Sequence, residues 1–243
     1  MELNLIHFYP DLMNLYGSYA NLSVLCRALE SMGNTVSVET VQPGQAIDLG
    51  GADFLFMGAG TERAQKAALA DFLRFSETVK AAAEDGCAML LCGTAMELLG
   101  KSITDAEGCV YAGIGMADFT SVQGKKRFVE DVYGHTSLYD APVVGFMNKC
   151  SILSGIETPL LTAMDMGFGN EGKGGVEGFL WKSVMGSHLT GPLLVKNPRM
   201  LDTVIAAIYA RRGEALPTAL PRDEYAEAGY AVTAEQLKKR CHP

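Results

Sequence analysis

The stretch Ala52-Asp53-Phe54-Leu55-Phe56-Met57, followed by Gly58-Ala59-Gly60, decides the fold. Apolar residues lie on both faces of the first six residues, which is typical of a central strand in a parallel sheet. The glycine-containing loop then leads to Thr61, a helix-capping residue type, and to Glu62, an acidic residue in the first turn of the helix. Strand, loop and helix in this order predict one unit of an α/β fold.

The first half of the chain repeats this alternation. Further strands are predicted over 3–8, 35–41 and 88–91, and helices over 21–32, 64–83 and 93–99. A break in the long helix is expected near Phe75 and Ser76. We therefore expect a single doubly wound, mainly parallel sheet with helices on both faces.

The second half has a different pattern. Short strands separated by glycine-rich turns are predicted over 111–115, 126–133, 143–147 and 160–164, and they indicate antiparallel additions to the sheet. The glycine-rich run 167–175 favours a tight loop rather than a phosphate-binding motif. A helix over 201–212 ends a domain over 1–213. Residues 214–243 are expected to form a C-terminal tail, in which Thr233 to Arg240 favours one short amphipathic helix for a partner.

Composition and charge exclude several classes of function. The 243 residues include 28 acidic and 20 basic ones, and the net charge of −8 is the wrong sign for a nucleic-acid-binding protein. The uncharged run Ser183 to Val195 is too short and too polar to span a membrane. An export signal is not indicated, and six cysteines without Cys-x-x-Cys spacing indicate free thiols in a reducing cytoplasm. Four histidines without i, i+4 pairing give no reason to expect a metal or another cofactor.

Four stretches point to a known family. They are Tyr9–Gly17, Gly58–Gln65, Gly167–Asn170, and Gly191–Leu194 with Asn197-Pro198. Together they resemble the class I glutamine amidotransferases of the cobyric-acid-synthase-like branch, and most closely the glutaminase subunits of lipid II isoglutaminyl synthases. The likeness extends over about residues 3 to 212. It implies the α/β glutaminase fold and a cleft for glutamine.

The resemblance also implies a chemistry and a partner. In such enzymes a cysteine thiolate on a sharp strand-to-helix turn attacks the glutamine amide, and a histidine transfers the protons. The released ammonia travels to a synthetase, which for this branch implies a Mur-ligase-like subunit. Gly58 and Gly60 correspond to the loop on the oxyanion side. Arg127 corresponds to an arginine near the glutamine site, or it forms a surface salt bridge.

The two catalytic side chains are out of register with the family pattern. The family elbow reads Cys-Gly-Gly-Tyr-Gln-Leu-Leu-Gly, and counting back from Gly100 places Gly93 at the nucleophile, with Cys92 one residue too early. The histidine strand reads Tyr-Leu-His-Gly-Pro, which places Thr190 at the histidine and His188 two residues earlier. A slip of one residue turns a strand side chain to the opposite face, and a slip of two displaces it by about 6.6 Å.

Three hypotheses follow from this register. In the first, the chain has lost hydrolysis and acts as a binding or regulatory partner of the synthetase, since a glycine at the elbow relaxes a strained turn. In the second, it is an active glutaminase for a cell-wall precursor that uses Cys92 and His188, which requires one inserted residue after the elbow. In the third, it senses another amide or amino acid. The family motif Gly-Phe-Glu-Asn-His appears as Gly145-Phe146-Met147-Asn148-Lys149, without the acid and the histidine.

Overall fold

The computed structural model describes residues 1–241, which contain twelve strands and seven α-helices. The strands are β1 (Glu2–Phe8), β2 (Thr35–Val41), β3 (Phe54–Met57), β4 (Ala88–Cys92), β5 (Ser102–Thr104), β6 (Val110–Ala112), β7 (Thr120–His135), β8 (Val143–Ser154), β9 (Ala163–Met166), β10 (Phe179–Trp181), β11 (Val184–Ser187) and β12 (Leu189–Thr190). The helices are α1 (Ala20–Ser31), α2 (Glu62–Phe72), α3 (Ser76–Glu84), α4 (Thr94–Glu97), α5 (Leu193–Lys196), α6 (Pro198–Arg211) and α7 (Glu224–Cys241).

The first sheet has the strand order β10, β11, β4, β3, β1, β2, and every neighbouring pair except β10 and β11 is parallel. Successive residues of a strand point to opposite faces, and β3 is buried on both. Phe54 and Phe56 belong to the apolar cluster that includes α1 and α6, whereas Leu55 and Met57 belong to the cluster that includes α2 and α3. The predicted mainly parallel α/β sheet with helices on both faces is confirmed.

The second sheet has the order β12, β8, β7, β5, β6, with β9 also paired to β7. Its centre is the long antiparallel pair β7 and β8, whose register shifts between Gln123 and Phe128. The sequence predicted these antiparallel strands as additions to one sheet, whereas the structure places them in a sheet of their own. The chain passes between the sheets at His188, because Ser187 ends β11 in the first sheet and Leu189 begins β12 in the second.

The helix after the central strand begins and breaks where the sequence indicates. Thr61 is its N-cap, and its hydroxyl accepts a hydrogen bond from the Ala64 N–H at 3.1 Å. Residues Leu73–Phe75 form one 3-10 turn, and α3 starts at Ser76. Phe75, the last residue of this turn, belongs to the apolar core.

The C-terminal helix is longer than predicted and packs on the rest of the protein. The expected short helix over Thr233 to Arg240 is part of α7, which has 18 residues. Leu237 is buried against Tyr133 and Val144, and the Tyr230 hydroxyl donates to the carbonyl of Pro142 at 2.7 Å. Within residues 1–241, no helix is both long enough and apolar enough to cross a membrane.

Candidate functional site

The sharp turn after β4 lies at the centre of the candidate site. Gly93 adopts φ +58° and ψ −131°, a backbone conformation that favours glycine, and its N–H donates to the Ser187 carbonyl at 2.7 Å. A Cβ placed on Gly93 would lie 2.7 Å from the Cβ of Ala59 and 3.5 Å from Cγ2 of Thr190. The structure therefore brings together positions 93 and 190, which the family pattern aligns with the nucleophile and the histidine.

A cavity of about 210 Å³ opens at this turn. The loop after β1, the loop after β3 with the start of α2, the elbow, His188 and the strands β7, β8 and β12 of the second sheet contribute its wall. Its lining residues are Leu15, Tyr16, Ala59, Gly60, Thr61, Glu62, Gly93, Thr94, Arg127, Asn148, Lys149, His188 and Thr190.

Cys92 points away from this cavity. Its side chain is 1% exposed and belongs to the apolar cluster that contains Leu25 and Leu193. Its Sγ accepts a long contact from Nδ2 of Asn21 at 3.7 Å. Burial, with a smaller effect from the charge of Glu177, raises the pKa of the Cys92 thiol to about 12. A thiol in this state keeps its proton at neutral pH, and the thiolate is the form that attacks an amide.

His188 lines the cavity but uses its ring elsewhere. Its Nε2 lies 3.3 Å from Oε1 of Glu97 and 3.2 Å from Oγ of Ser151. Its Nδ1 lies 3.5 Å from Oε1 of Glu177 and has no hydrogen-bond partner within residues 1–241. The imidazole is thus held between two buried carboxylates, and the structure does not bring it to Cys92.

Glu97 is the centre of a buried polar cluster that the sequence analysis missed. Its side chain is 1% exposed, and four neutral side chains donate to its oxygens in addition to the contact with His188: Ser121, Ser151, Gln65 and Gln123. Burial opposes its ionisation, but the hydrogen bonds and the charge of His188 outweigh burial and lower the pKa of Glu97 to about 2. Glu97 stands where the family elbow has a glutamine, and this replacement was the sign of the buried cluster that the sequence offered.

Arg127 lies at the mouth of the cavity. Its guanidinium donates to Oε1 of Glu62 at 2.9 Å and to Oδ1 of Asn148 at 2.6 Å. Asn148 in turn donates to the hydroxyl of Tyr16 at 2.9 Å. The Arg127 side chain is 44% exposed, so it forms a partly solvated ion pair at the cavity mouth.

The two glycines predicted for the oxyanion side have different roles. Gly60 lines the cavity, but its N–H donates to Oγ1 of Thr94 at 3.1 Å, and the Thr94 hydroxyl donates to the Gly60 carbonyl at 3.0 Å. Gly58 is a close-packing position, because a Cβ there would lie 2.2 Å from the carbonyl oxygen of Met13. Residues 1–241 contain no group of three His, Cys, Asp or Glu side chains arranged to hold a metal ion.

Alkylation of the native protein tests the burial of Cys92. Iodoacetamide is expected to label the exposed Cys109 at least about tenfold faster than the buried Cys92 or Cys87, because a protected thiol reacts only after local opening. Mass spectrometry of peptides after timed quenching measures the three rates. Labelling of Cys92 as fast as Cys109 would contradict the observed placement.

Comparison with known protein families identifies the family of the chain that carries this elbow and cavity. Residues 4–198 match the model of the CobB/CobQ-like glutamine amidotransferase domain. The chain belongs to this family. The family resemblance seen in the sequence is therefore confirmed.

Two relatives match most of the chain. One is a Staphylococcus aureus protein described as lipid II isoglutaminyl synthase (glutamine-hydrolyzing) subunit GatD, 27% identical over 213 residues, which are 87% of this chain and 86% of the relative. The other is the protein of the same description from Streptococcus pneumoniae, 32% identical over 215 residues, which are 87% of this chain and 82% of the relative.

Solved structures share the fold. PurLQS from Thermotoga maritima aligns with a TM-score of 0.54 at 11% identity, over 86% of this chain and 99% of that chain. A glutamine amidotransferase from the same organism aligns with a TM-score of 0.51 at 10% identity, over 99% of both chains. The glutamine amidotransferase-like fold of this family member is confirmed by these alignments.

Proposed function

We propose that this chain is a catalytically degenerate glutaminase-like subunit that acts by binding a Mur-ligase-like synthetase involved in amidation of a cell-wall precursor. The two relatives are each described as one subunit of lipid II isoglutaminyl synthase, and that description supports a partner chain. Tyr16, which lines the cavity, and Tyr19, three residues later, are both exposed and available for contacts with a partner.

The observation that supports the proposed loss of hydrolysis is the lack of space for a side chain at position 93. The turn at Gly93 has the position and backbone of a nucleophile elbow, yet a Cβ on residue 93 would lie only 2.7 Å from the Cβ of Ala59. Thr190 faces Gly93 in place of an imidazole, and the hydroxyl of Thr190 donates to the Phe146 carbonyl at 3.3 Å. Loss of the thiol, the histidine and the space for a side chain at one turn supports a binding role.

The rival function is an active glutaminase that uses Cys92 and His188. It would require the Cys92 thiol to leave the apolar cluster beside α1 and His188 to give up its contacts with Glu97 and Ser151. Each buried contact that is broken without replacement costs about 1–3 kcal/mol. Both costs would raise the free energy of the catalytically competent conformation above that of the observed one.

Glutamate release from glutamine separates the two functions. The purified chain, alone and with a candidate Mur-ligase-like synthetase, is expected to release no glutamate above the buffer rate. Cys92→Ala is expected to leave this unchanged. Cys87→Ala is the matched control, because Cys87 is a second buried thiol just before β4. Turnover that Cys92→Ala abolishes and Cys87→Ala preserves would contradict the proposal, and copurification with the synthetase tests the binding role.

A further inference from the structure

Strand β2 forms an unprotected edge of the first sheet. It has seven residues in an unbroken parallel register with β1, and within residues 1–241 no strand pairs with its other side. Proteins usually protect a sheet edge with a short strand, a bulge, lysine or proline, because an open edge is a template for pairing with another strand. The strands at the other ends of the two sheets, β10, β12 and β6, have only two or three residues. β2 has none of these protections.

The register of β2 shows which of its backbone groups face outwards. The Thr35 N–H donates to the Met1 carbonyl at 2.8 Å, and the Val41 carbonyl accepts from the Tyr9 N–H at 2.8 Å. Alternate residues of a strand direct their N–H and C=O groups to the same neighbour, so the odd-numbered residues of β2 face β1. The residues between them face outwards: Val36, Val38 and Thr40. Within residues 1–241 their N–H and C=O groups form no backbone hydrogen bond.

The side chains of β2 are suited to pairing. Val38 is 43% exposed, and its β1 partner Leu5 belongs to the apolar cluster that includes α1. Val38 therefore lies on the α1 face of the sheet, half covered. Glu39, the only charged residue of β2, is on the opposite face and accepts from Nδ2 of Asn4 at 2.8 Å. A strand beside β2 would bury an apolar side chain without burying this carboxylate against another charge.

The sequence of β2 complements itself in an antiparallel arrangement. With a two-fold axis at Val38, this residue lies opposite its own copy, and Ser37 lies opposite Glu39 of the other chain. Val36 and Thr40 lie opposite each other in the same way. Each of the outward N–H groups then meets an outward C=O group, the apolar residues opposite one another are β-branched, and no like charges face each other. A two-fold interface of this kind uses the same strand twice.

We propose that the chain forms a two-fold dimer through β2, in which the first sheets of two copies join into one continuous sheet. Charge and register favour a second copy as the occupant, since Glu39 meets a hydroxyl and Val38 meets a valine. None of the residues that line the elbow cavity belongs to β2. The inference therefore goes beyond the proposed function and does not depend on it.

Sedimentation equilibrium of the full chain between micromolar and millimolar concentrations measures this dimer. The average mass is expected to rise with concentration towards twice the mass of one chain. Val38→Lys places two ammonium groups opposite each other at the axis and is expected to weaken dimerisation at least about tenfold. Val110→Lys is the matched control, because Val110 is also an exposed strand valine and lies in β6 of the second sheet.

Disulfide cross-linking tests the register and does not depend on the stability of Val38→Lys. Cysteines at position 38 of two copies would have Cα atoms about 5.5 Å apart, within the range of about 4.4–6.8 Å that a disulfide requires. Cysteines at position 37 would lie diagonally, about 7–8 Å apart. With diamide as oxidant, Val38→Cys is expected to form covalent dimers at least about tenfold faster than Ser37→Cys. Both variants also carry Cys109→Ser, since Cys109 is an exposed thiol.

Three results would overturn the inference. The first is a chain that stays monomeric at millimolar concentration, and the second is equal cross-linking at positions 37 and 38. The third is a native chain that stays monomeric alone but loses copurification with the synthetase on Val38→Lys, because β2 would then pair with a strand of the synthetase. None of them bears on glutamate release, so the proposed loss of hydrolysis is tested separately.

Discussion

Glu97→Ala is expected to lower the free energy of unfolding by about 4 kcal/mol, because it removes the common acceptor of a fully buried polar cluster. Four neutral donors lose an acceptor, and Glu177 becomes the remaining carboxylate that faces His188. For a domain of this size the midpoint of thermal unfolding should fall by about 10 °C. Chemical denaturation and calorimetry measure the two quantities.

The control for this variant is Glu214→Ala, since Glu214 is exposed and, within residues 1–241, makes only a backbone hydrogen bond. Its effect should stay within about 0.5 kcal/mol. A Glu97→Ala protein as stable as the Glu214→Ala protein would show that the buried cluster contributes nothing to folding.

The same carboxylate predicts a dependence of stability on pH. The folded protein lowers the pKa of Glu97 from its ordinary value of 4.5 to about 2. A depressed pKa stabilises the folded state above the unfolded value, and this stabilisation is lost as the pH falls through the folded value. The difference in unfolding free energy between the native chain and Glu97→Gln should therefore shrink between about pH 4.5 and pH 2. A difference that stays constant over this window would contradict the assigned ionisation.

Gly93→Cys is expected to cost about 3 kcal/mol of stability, and Ala59→Gly in the same chain should recover more than about 1 kcal/mol of it. The cost has two parts, because a side chain at φ +58° is strained and its Cβ would lie 2.7 Å from the Cβ of Ala59. Only the second part depends on position 59. A double-mutant cycle by chemical denaturation therefore isolates the steric contact from the backbone strain.

Gly213→Cys supplies the matched control for the backbone part. Gly213 has φ +68°, and a Cβ there meets no atom of the described residues within 4 Å. Its substitution should cost about 1 kcal/mol and should not respond to Ala59→Gly. If Gly93→Cys costs no more than Gly213→Cys, the space at the elbow is open and the main support for a lost nucleophile disappears.

Local patterns were sufficient to predict four of the six strands of the first sheet, and the motifs indicated the family, whereas β10 and β11 were not predicted. The apolar residues of β3 and β4 lie on both strand faces, and the capping residue Thr61 marks the start of α2, so neighbouring residues alone specify these elements. The separation of the antiparallel strands into a second sheet depends on pairing over long sequence distances, such as β12 with β8. A local pattern of apolar residues does not indicate which distant strands pair.

The candidate site was only partly accessible from the sequence. Counting along the motif identified positions 93 and 190, which the fold brings together. The surroundings of Glu97 and His188 involve residues up to 91 positions apart in the chain, and the clash at Ala59 depends on the path of a different loop. Those relations become visible only when the strands are placed beside one another.

The hydroxyl of Thr94, which bridges the N–H and the carbonyl of Gly60, has an evolutionary consequence. If position 93 acquired a cysteine, the oxyanion of a tetrahedral adduct on its sulfur would have to compete with the Thr94 hydroxyl for the N–H of Gly60. Under the proposed loss of hydrolysis, a return of turnover would thus require coordinated changes at positions 59, 93, 94 and 190. The Thr94–Gly60 bridge is one of the contacts that such a change would have to break.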